Sequence, residues 1–250
     1  VMTLTVELIV LVSDIGRMNT VFKFYLQVWV LFGVSAAAAL GWLLPEISKW
    51  STRLRWGWQI ILAMLVLGAS MYTLTATSAK IDDRIADDVP LTLDGMEFML
   101  YSTYNDKWGT MLLSQDYEAI RWMQENVTGS PVIVEANLRD LYRWGSRYSI
   151  YTGLPGVVGW EWHQQQQRAI NPGTWVSIRI QEIERFYLTL DLEESVKFLR
   201  KYHVQYIILG QNERGLYAGP GLEKFADANG LFWREVFRTA ETVIYEVTLP

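Results

Sequence analysis

Cysteine is absent from the 250 residues, and histidine occurs only twice. The first absence excludes a disulfide framework, a thiolate zinc site and a cysteine nucleophile. The second leaves no histidine pair at zinc spacing. No glycine-rich phosphate loop occurs, neither GxGxxG nor GxxxxGK. Basic excess is missing too. The net charge is −5, whereas a nucleic-acid footprint needs a basic face, so nucleic acid is not expected as a partner. The opening residues lack a basic stretch and a small-residue cleavage site, so they do not form a signal peptide.

Apolar residues are plentiful and unevenly placed. Residues 1–78 are mostly apolar, and 79–250 have the composition of a soluble domain. Val1 to Val12 is apolar apart from Glu7 and two threonines, and is too short to span a bilayer. It is expected to be the truncated end of a helix, with the chain the carboxy-terminal piece of a longer membrane protein. Upstream transmembrane helices of that protein would then be its neighbours. Ser13 to Thr20 forms a polar break containing Asp14, Gly16, Arg17 and Asn19. Two spans follow, at about 21–44 and 57–77, with Pro45 expected to end the first. Trp58 to Ala76 carries no charge over nineteen residues.

Lys49, Arg53 and Arg55 face the single Glu46 between the spans. The positive-inside bias puts that connection in the cytoplasm. The polar break and residues 79–250 are therefore expected outside the cell membrane. Asn19 or Thr20 is placed to cap the next helix. Its amino terminus, flanked by Arg17 and Lys23, suits a phosphate or another anion. Glu7 and Asp14 are carboxylates able to do acid/base work or hold a divalent cation. The structural alternative is that Lys23 snorkels to lipid headgroups and Arg17 pairs with Asp14.

In the second part, Thr77 to Val89 is a polar, acidic linker. Leu91 to Leu100 is expected to be extended around an Asp94-Gly95 turn. Ser114 should cap a helix to Val127, and Pro131 to Ala136 forms a buried strand. A helix from Thr174 to Tyr187 follows Asn171-Pro172-Gly173. Asp191 and Glu194 are spaced as a capping box for a helix to Tyr202. Gln205–Gly210 is a strand, Leu222–Ala228 a short helix, and Phe232–Arg238 with Thr242–Thr248 a hairpin. Strands alternating with helices predict an α/β layer fold. The fold class expected is thus two full transmembrane helices plus a truncated one, followed by a soluble α/β domain.

The chemically densest stretch is Arg147 to Arg168. It joins a Gly153-Leu154-Pro155 turn, a short apolar strand over Gly156–Trp160, Glu161, His163 and two flanking arginines. Gly156 and Gly159 permit a close approach. One reading is a ligand-facing loop made by Arg147, Glu161, His163 and Arg168. The other is a strand whose tryptophans fill the core. Arg179, Glu182 and Arg185 read as a solvated helix face.

Several segments together resemble the large integral membrane proteins named for a YYY motif. They are Asp14 with Arg17 through Tyr25, Thr92 through Gly95, Thr152 through Trp160 to His163 and Arg168, and Tyr206 through Gly210 to Glu213, Arg214 and Tyr217. Those proteins group by architecture with the GT-C glycosyltransferases, which use polyprenyl-phosphate sugars at the outer membrane face. The resemblance implies an enzyme of that class, with membrane lipid and a lipid-linked sugar as partners. Such enzymes keep their catalytic acid in a first outer loop, which would lie upstream of these residues. Within this chain, Arg17, Asn19 and Lys23 are the residues expected to meet the donor phosphate, and Asp14 and Glu7 are the candidate catalytic carboxylates, orienting those cations or holding a divalent cation. Glu161, His163, Arg147 and Arg168 would line the acceptor or sugar side. No metal site is assigned. The YYY tripeptide itself does not occur. The rival readings are a non-catalytic glycan- or partner-binding module, and part of a transporter or flippase.

Overall fold

The computed structural model describes residues 1–9, 17–85, 89–140, 143–168, 172 and 174–249. The chain divides into two compact units, Val1–Asp87 and Asp88–Pro250.

The first unit is helical: α1 (Met2–Leu8), α2 (Met18–Ile47) and α3 (Thr52–Arg84). At 30 and 33 residues, α2 and α3 are each long and apolar enough to cross a membrane. Pro45 does not end α2, which runs two residues further. Proline lacks only its own N–H. The carbonyls beyond it are satisfied by Ser48 Oγ on Pro45 O and by Lys49 N on Glu46 O. Likewise α3 continues past Thr77, because no glycine or proline interrupts the chain before Arg84. The linker expected over Thr77–Val89 is therefore helical to Arg84, and its residues 86–88 lie outside those described. Neither Asn19 nor Thr20 caps α2. Arg17, in the left-handed region at φ 72°, occupies that position, and both residues fall in the first turn.

The second unit begins with a 3-10 turn over Glu97–Leu100, in place of the expected extended segment. Asp94 folds the chain here, since its carboxylate accepts from Met96 N. A hairpin follows, β1 (Thr103–Asp106) against β2 (Gly109–Leu112). Four further strands make the main sheet: β3 (Val132–Val134), β4 (Val204–Leu209), β5 (Trp233–Arg238) and β6 (Val243–Val247). The sheet order is β3-β4-β6-β5; β3 and β4 are parallel, and the other pairs antiparallel. The helices are α4 (Leu113–Asn126), α5 (Arg147–Thr152), α6 (Glu161–Gln167), α7 (Thr174–Leu188), α8 (Leu192–Tyr202), α9 (Gln211–Leu216) and α10 (Lys224–Asp227).

Two cores flank this sheet. Strand side chains alternate between faces. Ile208 and Ile244 pack with Ile120, Met123 and Tyr148 of α4 and α5. Ile207, Leu209 and Tyr245 pack with Phe186, Phe198 and Phe225 of α7, α8 and α10. The result is a layered α/β domain. Trp233 is fully buried in the second core, and its indole N–H donates to Phe225 O at 2.9 Å.

Local signals explain most boundaries. Asp191 caps α8, accepting from Glu193 N and Glu194 N. The reciprocal half of the expected box does not form, because Glu194 accepts from Thr189 Oγ1 instead. Ser114 does not cap α4. The helix begins one residue earlier, where the Gln211 amide brackets the backbone of Leu112 on both N–H and carbonyl. Of the Asn171-Pro172-Gly173 break, residues 171 and 173 lie outside those described.

Truncating Trp233 to Ala removes a filled core position and one buried hydrogen bond. Thermal unfolding of the Trp233→Ala chain should show a loss of about 3–5 kcal/mol.

Candidate functional site

In the first unit, Arg17 Nη2 meets Glu7 Oε2 at 2.8 Å, joining α1 to the start of α2. Both side chains keep about half their surface exposed, at 43% and 52%. Arg17 therefore pairs with Glu7; Asp14 lies outside the described residues. Among the described residues Glu7 is the one carboxylate paired with it, which leaves several of the five guanidinium donors unspent. Asn19 and Lys23 are both exposed and four residues apart on α2, hence on one face. The amino end of α2 adds the positive end of the helix dipole to this cationic group.

In the second unit, Arg147 is 1% exposed and lies among three carboxylates. Its Nε meets Asp116 Oδ2 at 2.8 Å, its Nη2 meets Glu213 Oε2 at 3.0 Å, and its Nη1 lies 3.6 Å from Glu135 Oε2. Each acid is also bound elsewhere. Asp116 accepts from Trp144 Nε1 and Tyr148 Oη. Glu213 accepts from Ala136 N and Gly210 N, the N–H groups just past the carboxyl ends of β3 and β4. Glu135 accepts from Tyr148 N and Ser149 N, closing the open amino end of α5. The place expected for Arg147 on a ligand-facing loop is thus not what the fold provides: the guanidinium is turned inward.

Burial pushes the Glu135 carboxyl up to about 7, against the pull of Arg147 and the Ser149 N–H. Burial also opposes ionisation of Glu213. Arg147, with the N–H groups of Ala136 and Gly210, outweighs it and holds that carboxyl below its ordinary range.

After α5, Gly153 at φ 75° supplies the left-handed exit that a helix end favours. Gly156–Trp160 does not form the expected strand. Pro155 O accepts from Ile133 N, and a single bridge links Gly156 to Ile133. Proline has no N–H to extend a ladder on this outer edge of β3. The close neighbours of Gly156 and Gly159 are the chain's own Ser149 Oγ and Gln164 amide, which a Cβ would meet at 2.9 and 2.8 Å. Glu161, His163 and Arg168 belong to α6 and its carboxyl cap, in place of the expected turn. Glu161 accepts from Gln165 Nε2 at 3.2 Å. His163 is half-buried, its ring 5.4 Å from Trp160.

Arg168 instead shares a cavity of about 190 Å³ with Gly159, Gln164, Trp175 and Arg179. Arg179 donates to Val157 O at 2.8 Å, and its guanidinium lies 5.2 Å from the Tyr202 ring centre. Among the described residues, no carboxylate forms an ion pair with either arginine. Glu182 interacts with Arg179 from beyond ion-pair distance. Two guanidiniums without a carboxylate in direct contact at one polar opening suit an anion. Arg179 does not stand out in the sequence because helix spacing makes it one charge among several. Asp116, Glu135 and Glu213 do not stand out because they lie far from Arg147 in the chain. Among the described residues no cluster of acids and histidines could hold a metal ion.

Residues 1–32 match a family described as uncharacterized membrane protein (DUF2298). With two helices able to cross a bilayer, the chain is a membrane protein. No curated protein matches it. The C-terminal globular domain of an oligosaccharyltransferase from Archaeoglobus fulgidus is similar over 52% of this chain and 95% of that chain, with 15% identity and a TM-score of 0.36. A likeness of that size carries no functional weight.

The buried cluster generates a pH dependence. The unfolded Glu135 carboxyl ionises near 4.5 and the folded one near 7. Between those values the folded state binds the extra proton, so stability falls as pH rises and the loss is complete above 7. It amounts to roughly 3 kcal/mol. Glu213, held low, acts only at more acid pH. Denaturant titrations between pH 5 and 8 should show this decline in the native chain and a flat profile in Glu135→Gln.

Proposed function

We propose that this chain works as part of a GT-C-like integral membrane glycosyltransferase that takes a sugar from a lipid-phosphate carrier at the outer membrane face. The observation that carries the reading is the Glu7–Arg17 pair at the amino end of α2. It lies within the segment that matches a membrane-protein family, residues 1–32. It also coincides with a segment bearing the resemblance to the YYY-motif proteins. A lipid-linked donor leaves as a phosphate, and charge builds on its oxygens as the glycosidic bond breaks. Arg17 and Lys23, with Asn19 and the positive end of the α2 dipole, answer that charge. Glu7 holds the guanidinium in place until the phosphate takes over its remaining donors. Asp14 and Glu7 are the carboxylates assigned to acid/base work, and a divalent cation would be held by them.

On this reading residues 79–250 are extracytoplasmic, and Glu161, His163 and Arg168 serve the acceptor or sugar side. Arg147 contributes as a positioning residue: it holds α5 and the chain leading to α6. Arg179 joins Arg168 as a second cation there.

Arg17→Ala and Lys23→Ala in the whole protein, assayed in membranes with polyprenyl-phosphate sugars, should each lower turnover roughly a hundredfold, the usual worth of one donor to developing charge. Unchanged turnover in both would remove the phosphate role.

A further inference from the structure

A second opening in the soluble unit has a different character from the arginine cavity. It lies beyond the carboxyl ends of the two parallel strands, where α/β sheets commonly place ligands. The loop after β3 contributes Asn137, Arg139 and Asp140; α9 contributes Leu216, followed by Tyr217; the β1–β2 turn contributes Lys107 and Trp108. The cavity measures about 310 Å³.

Three of its lining residues hold hydrogen-bonding capacity that the fold does not use. Asn137 is 5% exposed. Its backbone N–H donates to Tyr217 Oη at 3.3 Å and its Nδ2 donates to Gly159 O at 3.0 Å. Those two bonds orient the amide, and Oδ1 is left buried with no partner. Tyr217 Oη accepts from Asn137 and keeps its own proton to donate. Trp108 Nε1 is likewise buried and unpartnered. Trp108 is seated on Gly215, where any Cβ would collide with the indole. A buried polar atom without a partner costs about 1–3 kcal/mol, so three spare valences at one cavity call for an occupant that answers them.

The rim decides the charge of that occupant. Lys107 pairs with Asp140 at 2.9 Å, Arg139 with Glu184 at 3.4 Å, and Arg143 with Asp106 and Asp140. Every cation at the rim is met by an acid, and no charge of one sign is left over. An anion or a cation would find no net attraction here. A carbohydrate hydroxyl both donates and accepts, and paired charges with aromatic rings are good partners for it.

We propose that this cavity is a saccharide-binding site for one or two neutral sugar units, with Asn137 Oδ1 as acceptor and Tyr217 Oη and Trp108 Nε1 as donors. The site stands independently of the transferase reading, since none of its residues belongs to the phosphate-facing group.

The test uses the whole chain in a detergent without a sugar headgroup. Saturation-transfer NMR and calorimetry are run with methyl α-mannoside, N-acetylglucosamine and inorganic phosphate. At least one neutral saccharide should bind saturably in a range on the order of 10 mM or below, and phosphate should not compete with it. Trp108→Phe should weaken binding about three- to tenfold, the worth of one neutral hydrogen bond. Gly215→Ala, which displaces the indole, should weaken it at least as much. Asn137→Ala should do the same, and if that chain fails to fold, Trp108→Phe, at a half-exposed turn, keeps the test decisive. Absence of saccharide binding, competition by phosphate, or binding that Trp108→Phe leaves unchanged would each overturn the assignment.

Discussion

The Arg147 guanidinium, buried among Asp116, Glu135 and Glu213, sets the geometry on which the soluble unit depends. A buried arginine stripped of partners would be severely destabilising, whereas one met by several carboxylates can be held. The acids come from α4, the end of β3 and α9. Each also holds something else in place: an indole, the amino end of α5, or the backbone just beyond a strand. Glu213 matters most, because it accepts from the residues that follow both parallel strands. One ionic contact therefore fixes where the β3 and β4 loops depart from the sheet.

Both candidate openings inherit that geometry. Asn137 follows Ala136, whose N–H is bound by Glu213. Arg168 and the Gly156–Gly159 segment follow α5, whose first turn is bound by Glu135. The polar surplus of the domain is thus concentrated at its fixed interior, and the openings lie at the ends of the chain segments it anchors. Their charge differs in kind. Among the described residues, the cavity beside Arg168 and Arg179 carries cations with no acid in direct contact, and the one beside Asn137 carries a closed set of ion pairs. Ligands of different charge suit the two, an anion and a neutral molecule, although they share a domain.

Periodic and capped segments are legible in the amino-acid sequence alone. The terminal hairpin, α7, the Asp191 cap and β4 all announce themselves through alternation, helix spacing or a side-chain oxygen at the right place. The Glu97 turn, the start of α4 and the fate of Gly156–Trp160 do not. The last two are settled by a partner distant in the chain and by a proline that denies a ladder its donor. Arg147 shows the limit most clearly. Its sequence neighbours, Gly-Leu-Pro, tryptophans and an acid, suggest a ligand loop. Its burial follows from carboxylates 31 and 66 positions away, a relation that spacing does not encode.

The same reasoning separates Arg17 from Arg147. Both arginines meet a carboxylate at short range. Arg147 has spent its donors inside a dry cluster, so its pairing is part of the fold. Among the described residues, Arg17 offers one bond to one half-exposed carboxylate at a helix amino end, where the dipole already disfavours a cation. A guanidinium in that position gains when a more highly charged anion arrives, since a phosphate adds charge and oxygens that Glu7 lacks. A weakly neutralised arginine at a helix start is poised for exchange, whereas a fully neutralised one is poised to stay. That difference in neutralisation, more than residue type, is why the proposed phosphate role falls to Arg17 and not to Arg147.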